Sequence, residues 1–360
     1  MSVLNRKLWG MFNPLKKRFV WLRNELTSAI SKQTNKVCDS HLDICESIRN
    51  TTAYSVLRDL NIAHKEQTLL MFYPVWNNKT KVMTTNDFDT MKKYLNAVRP
   101  VRVKNLVRVG GANDGGYVMI NPKIDLLRAS NRGANIGEST YDPPPQEIDN
   151  KNSIDFSNPP FALSLGVSPY SPWDLEMANF GYKVLQYDAS IAKAPYNHPN
   201  ITFHKKFVGA RDGVDTIALT RIIAENNLSQ NACNVLQCDI EDCEWEILEQ
   251  VDLGEMAKYF PQVLFEFHKC YLDNAEFAKR RLAILEKLKA YYTPIHTHFN
   301  NWGGKVWYSN GYFWCQTPEV SYLRNDLIQE RNGIVGSGYL HCDASNVKEF
   351  PDIPIIFDDF

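Results

Sequence analysis

The sequence predicts an α/β protein built on a mainly parallel, doubly wound sheet. Three observations carry this. From residue 161 onward, short apolar runs alternate with helix-spaced segments, the pattern of successive strand–helix–strand units. The run Asn234-Val-Leu-Gln-Cys-Asp239 is apolar and ends in an acid, with Glu241 next and helical spacing through Trp245 and Leu248. A strand, a glycine turn, a helix and a second strand ending in an acid also follow one another from Phe161 to Asp188. In an open α/β sheet, such an acid is delivered to the carboxyl edge, where ligands bind.

The bulk properties are those of an ordinary globular chain. Its 360 residues are 44% hydrophobic and 22% charged, with a net charge of −1, so no nucleic-acid footprint is indicated. None of the eight cysteines forms a Cys-x-x-Cys pair, which argues against a structural zinc site and for a reducing, cytoplasmic setting. No run is long and apolar enough to span a bilayer. Residues 4–26 interleave Arg6, Lys7, Lys16, Lys17, Arg18 and Arg23 with Leu8, Trp9, Phe12, Phe19 and Trp21. This amphipathic pattern suits a helix packed on its own domain or on a partner subunit, or one making peripheral contact with a membrane surface.

Residues 1–98 read as an N-terminal helical region. Three-to-four spacing recurs over 20–36, 38–49, 54–64 and 87–98, with Asp87 as a cap and Pro100 as the stop. This region is expected to cover the sheet, a site or the second subunit of a homo-oligomer. In residues 99–360, two β-like runs over 105–120 flank Gly110-Gly-Ala-Asn-Asp-Gly-Gly116 and read as a hairpin. No helix follows it, so it is neither a P-loop nor a dinucleotide fingerprint. Residues 121–160, with Pro143-Pro144-Pro145, read as a loop or lid. The α/β core covers 161–325, and a tail covers 326–360. Within the core, residues 201–207 read as one strand, 215–226 as a helix, 262–268 as a strand, 275–291 as a helix and 292–302 as a strand. The runs at 312–316 and 319–323 read as a closing hairpin with the second at the sheet edge.

Gly166 opens the first turn of this core, and Asp188 lies 188 − 166 = 22 positions later. That is close to the interval of roughly 20 between the cofactor turn and the ribose-binding acid of doubly wound folds. The three glycines that let a pyrophosphate approach are absent. The pattern therefore favours an adenosine cofactor without phosphates, such as S-adenosylmethionine (SAM), over a nicotinamide.

Four ordered motifs together resemble the FkbM-like, SAM-dependent methyltransferases, in the branch that includes methyltransferase-like protein 24. They are Arg108-Val-Gly-Gly-Ala-Asn-Asp-Gly-Gly-Tyr-Val118, Ser164 to Asp188 with its cofactor turn, Leu236-Gln-Cys-Asp-Ile-Glu-Asp-Cys-Glu-Trp-Glu246, and His298-Phe-Asn-Asn-Trp-Gly303 with Pro318-Glu-Val320. The resemblance covers about residues 100–325. It implies a Rossmann-like, seven-strand class I methyltransferase sheet and O-methylation of a sugar, glycan or related hydroxylated small molecule. Gln237 and Asp242 stand where the family has Lys and Gly. Those departures are the one support for the rival reading, a catalytically inactive glycan- or partner-binding protein.

Methyl transfer to an alcohol needs the hydroxyl positioned and its proton removed. Asp239, Glu241, His268 and His298 are the expected catalytic residues, with Asp239 beside the methyl group and His268 or His298 as base. Glu266 and His296 share their edge. Gly166, Ser168 and Asp174 are expected on the methionine side and Asp188 on the ribose. Gly110, Asp114 and Tyr117 are expected to close over cofactor or acceptor, with Gly209 at a further strand end. Asp239, Glu241, Glu266 and His268 offer donors of the type that Mg²⁺ or Mn²⁺ takes.

Overall fold

The computed structural model describes residues 80–131, 153–328, 343–350 and 352–357. The basic amphipathic segment at 4–26, the helices expected before residue 80 and the triple-proline run lie outside these residues.

Chain order gives β1 (Thr80–Thr84), α1 (Phe88–Ala97), β2 (Leu106–Val109), β3 (Tyr117–Ile120), α2 (Leu126–Asn131), β4 (Phe161–Leu165), α3 (Pro172–Phe180), β5 (Lys183–Tyr187), β6 (Ile201–His204) and β7 (Phe207–Gly209). Then follow β8 (Thr216–Ala218), α4 (Leu219–Glu225), β9 (Val235–Cys238), α5 (Cys243–Gln250), α6 (Leu253–Tyr259), β10 (Gln262–Glu266) and α7 (Ala275–Lys289). The series closes with β11 (Tyr292–Phe299), β12 (Gly304–Ser309), β13 (Tyr312–Cys315) and β14 (Pro318–Arg324).

Seven strands form the main sheet in the order β11-β14-β10-β9-β4-β5-β6. β14 runs antiparallel to both of its neighbours, and the other pairings are parallel. β9 and β10 are buried at every position, as strands covered on both faces must be. Leu163, Leu165, Leu236 and Phe265 face a core shared with α1, α4, α5, α6 and α7. Ala162, Val184, Val235 and Leu264 face α3 and the β2–β3 hairpin. The helix ends follow local chemistry. Asp87 accepts the Thr90 amide at 3.0 Å and Asn274 accepts the Phe277 amide at 3.1 Å. Pro172 opens α3, and Gly181 ends it in the left-handed region at φ +105°.

The structure departs from the sequence expectations at five places. Residues 80–84 form a strand, and β1 pairs with β12 in a separate three-stranded sheet. α2 stands inside the stretch read as an irregular loop. The expected strand at 201–207 is divided: β6 ends at His204, and β7 pairs instead with β8. β8 also takes the start of the helix expected at 215–226. The closing hairpin does not form, because β13 joins β12 while β14 inserts between β10 and β11.

Candidate active site

The winding of the sheet reverses between β4 and β9, and the crevice outside their carboxyl ends is the place where such sheets bind ligands. Gly166 follows β4 at φ +84°, and a Cβ there would lie 1.5 Å from the Asp239 carbonyl oxygen. The backbones of the two strand ends touch, and no side chain fits between them. Asp239 is fixed in turn by its amide, which donates to the Leu165 carbonyl at 2.8 Å.

Here a cavity of about 440 Å³ opens, walled by the β4–α3 turn (Gly166, Ser168, Tyr170, Ser171), the hairpin (Asp114, Gly115, Tyr117) and the ends of β9, β10 and β11. Its floor is a buried polar row. Ser164 Oγ donates to Gln237 Oε1 at 3.1 Å, and Gln237 Nε2 donates to the Tyr117 hydroxyl at 3.2 Å. Beside it, Gln186 Nε2 donates to Asp174, whose carboxyl burial pushes up to about 6 against the hydrogen bonds of Gln186 and Ser164.

The carboxylates converge on His268. Its Nε2 lies 3.6 Å from Asp239, 3.6 Å from Glu241 and 3.9 Å from Glu266, and its Nδ1 lies 3.3 Å from the buried Glu244. Burial disfavours the charged ring. The adjoining Glu244 carboxylate, with the charges of Asp239 and Glu241, outweighs it and pushes the imidazole up to about 9. At Asp239, burial and the charges of Glu241, Asp114 and Glu244 outweigh His268 and push the carboxyl up to about 7. Its side chain keeps 34% of its surface open to the cavity, so this acid is shielded yet reachable. Glu266 is raised well above its ordinary range by burial and by Asp239, Glu319 and Asp114. Asp239, Glu266 and His268 offer ligand atoms within 4.8 Å of one another, and so do Asp114, Glu266 and Glu319.

Strand register explains the second grouping. Glu266 pairs with Glu319, and Glu319 pairs with His298, a row across β10, β14 and β11. Asn300 Nδ2 bridges Glu266 at 3.0 Å and Glu319 at 3.3 Å. Asn346, from the C-terminal segment, donates to Glu319 at 2.6 Å and to Asp114 at 2.9 Å.

The expected residues divide into two groups. Asp114, Tyr117, Gly166, Ser168, Asp174, Asp239, Glu241, Glu266 and His268 all line the cavity. Gly110, Asp188, Gly209 and His298 do not. Gly110 serves the hairpin: at φ +100° its Cβ would lie 2.7 Å from the Gly115 carbonyl, and its amide donates to Glu176 at 2.6 Å. The Asp188 carboxylate holds the turn after β4, accepting the Val167 amide at 2.9 Å and the Ser190 amide at 2.6 Å. Gly209 lies in the β7–β8 ladder. His298, expected as a base, instead places Nδ1 at 3.2 Å from Asp343 and Nε2 at 3.0 Å from Asn346. Both ring nitrogens are thereby occupied, away from the cavity. Glu241 does reach the site, but its side chain is 88% exposed.

Asp242 also proves different from its sequence reading. It adopts φ +97°, the conformation that explains a glycine in the family pattern. Its carboxylate pairs with the buried Arg281 at 2.5 Å and with Lys269 at 2.8 Å. Two cations therefore answer its charge. Sequence reasoning assigned no role to Ser164, Tyr170, Asn300, Trp302 or Glu319. The motifs at 298–303 and 318–320 were the available signal. Asn346 had none.

No protein-family model matches the chain. A stretch of 117 residues, 30% of the chain, is 27% identical to the probable methyltransferase-like protein 24 of Homo sapiens. The protein of the same name from Rattus norvegicus is likewise 27% identical over 117 residues. These matches cover 32% of each relative, so the chain spans about a third of the length of the curated relatives it matches. This distant similarity supports a methyltransferase, and the seven-stranded mixed sheet fits a methyltransferase-like fold. Among the described residues, no helix is long and apolar enough to cross a membrane.

Proposed function

We propose that the cavity carries out SAM-dependent methylation of a hydroxyl on a sugar, glycan or related small molecule, on a Rossmann-like sheet of the FkbM type. The observation that carries this reading is the acid-lined cavity at the β4–β9 reversal, where Gly166 brings the cofactor turn against Asp239. The residues present fit the cofactor. The cavity volume lies in the range of about 300–1,000 Å³ typical of small-ligand sites, and carboxylates suit a positively charged sulfonium. Gly166, Ser168 and Asp174 would hold its methionine side, with Asp114 and Tyr117 above, while Asp188, expected at the ribose, would act from behind the cavity by holding the Val167 amide of the cofactor turn.

The chemistry SAM supplies when bound is a methyl group on sulfur: the acceptor oxygen bonds to the methyl carbon as the carbon–sulfur bond breaks and sulfur keeps the electron pair. Asp239 takes the hydroxyl proton, since a carboxyl raised to about 7 is matched to proton transfer near neutral pH. His268, raised to about 9, is protonated there and acts as a hydrogen-bond donor that orients Asp239 or the acceptor oxygen. In place of this arrangement, Asp239, Glu266 and a deprotonated His268 would make a donor set suited to Mg²⁺ or Mn²⁺, and such an ion would supply acidification of a bound hydroxyl.

Calorimetric titration with SAM, with and without Mg²⁺, tests the reading. Wild-type protein should bind, and Asp188→Asn should bind more weakly while its thermal melt stays cooperative. A folded wild type that takes up no SAM under either condition overturns the proposal.

A further inference from the structure

Two large rings stand exposed at this cavity. Tyr170, 56% exposed, lies in the β4–α3 turn, and Trp302, 53% exposed, lies between β11 and β12. Phe207, Val214, Phe277 and Tyr291 are also exposed, but none of them lines this cavity. An aromatic rim leaves apolar surface in water, and the neighbouring polar floor does not require it.

Both rings are held to the site by their backbones. The Trp302 amide donates to Asn300 Oδ1 at 2.8 Å, and the same Asn300 side chain bridges Glu266 and Glu319. The Tyr170 amide donates to Ser168 Oγ at 3.0 Å, and that hydroxyl donates back to the Tyr170 carbonyl at 2.6 Å. Trp302 is thus tied through Asn300 to Glu266 and Glu319, and Tyr170 is held within its own turn at the cavity mouth.

The cavity wall is acidic, although burial raises Asp174, Asp239 and Glu266 and leaves part of it protonated near neutral pH. Its described lining includes Asp114, Asp174, Asp239, Glu241 and Glu266, with His268 as the one cationic group and no Lys or Arg. An acceptor bearing carboxylate, phosphate or sulfate would meet like charge. An amine would be held protonated by the same carboxylates and would then have no lone pair with which to attack. A neutral sugar ring matches both features: its C–H face is apolar and its edge carries hydroxyls, while the cavity offers ring faces at the rim and acceptors on the wall.

We propose that Trp302 and Tyr170 form the acceptor platform and that the acceptor is a neutral hydroxylated sugar ring, laid on these rings with a hydroxyl turned toward Asp239. The inference rests on the methyl-transfer reading of the cavity.

The test uses the full chain saturated with S-adenosylhomocysteine, on immobilised glycans in matched sets of neutral sugar, uronic acid and 2-amino sugar. The neutral members should be retained in preference to both counterparts. Trp302→Ala should weaken retention about tenfold, Trp302→Phe should keep most of it, and both should bind SAM within about twofold of wild type. Tyr170→Ala provides a second variant should Trp302→Ala fail to fold. Preferential retention of acidic or amino members, undiminished retention by both alanine variants, or retention of no glycan would each overturn the platform. Loss of SAM binding by wild type would sink the methyl-transfer reading instead, and the glycan panel would still report on the rim.

Discussion

His268 and His298 each sit against acidic side chains at the same edge of the sheet. In each case those charges outweigh burial and push the imidazole up to about 9. The difference lies in what is left over. Around His298, Asp343 also meets His296 at 3.6 Å and Arg108 at 3.8 Å, and Asn346 takes up the other ring nitrogen. Arg108 further donates to the Asn113 carbonyl at 2.9 Å, so this cluster pins the hairpin turn to β11 and the C-terminal segment. It is a closed latch. Around His268, three carboxylates crowd one nitrogen at 3.6–3.9 Å, none at hydrogen-bond distance, and the cavity opens onto them. Shared residue types and shared shifts do not separate structure from chemistry here. Reach and unspent hydrogen-bonding capacity do.

The sharpest way to break this comparison is to neutralise one acid in each cluster. Asp239→Asn should lower methyl transfer by about 10²–10⁴-fold, the usual worth of a positioned proton acceptor. Its stability should hold or rise, because a carboxylate among carboxylates is removed. Rate measurements with methyl-labelled SAM, beside a denaturant melt, check both halves. If the melt collapses while the rate per folded molecule is kept, the open cluster is structural. Asp343→Asn should do the reverse. Removing one partner of a buried ion pair costs about 3–5 kcal/mol, and the surviving folded fraction should keep its SAM affinity.

The latch also predicts a pH profile. His298 is raised in the fold, so its contribution is fully present below its ordinary value of 6.5 and is lost as pH rises through about 9. Asp343 is held far below its ordinary value of 3.8 by His298 and His296, against the pull of burial. Its contribution is present above that value and is lost in stronger acid. Wild-type stability should therefore fall from near neutrality toward pH 9. The fall should be smaller in Asp343→Asn, which lacks the partner that raises His298. Melts across that range decide it, and parallel curves for the two proteins would remove the latch from the account.

Much of the open site was legible because it depends on local order. β4, β5, β9 and β10 announce themselves as short buried runs, and Asp188, Asp239 and Glu266 close three of them. An acid at a strand end reaches the carboxyl edge whatever the rest of the chain does. The latch was not legible, because it depends on distant pairings. β14 lies between β10 and β11 through antiparallel ladders that no local pattern encodes. A bulge between Pro294 and His296 reverses the alternation of β11, setting His296 opposite Ser321, whose hydroxyl bonds Val118 of the hairpin. Strict alternation would have sent His296 and His298 to the other face. Asn346 arrives from beyond residues 329–342, so its bonds to Asp114 and Glu319 left no trace in spacing.

The smallest expected effect sharpens the boundary of the open cluster itself. Glu241 and Asp239 lie equally far from His268, at 3.6 Å, and both were expected to be catalytic. Their surroundings differ: Glu241 is 88% exposed against 34% for Asp239. Water and salt screen an exposed carboxylate, so its pairing with His268 is worth about 0–1 kcal/mol. Glu241→Gln should therefore slow methyl transfer by less than about fivefold, and the deficit should shrink further as salt rises. Glu241 stands at φ +57°, and Gln replaces it without altering size, so the backbone should tolerate the change. A rate loss as large as that of Asp239→Asn would show that Glu241 folds inward over the bound acceptor and shares the proton-accepting role.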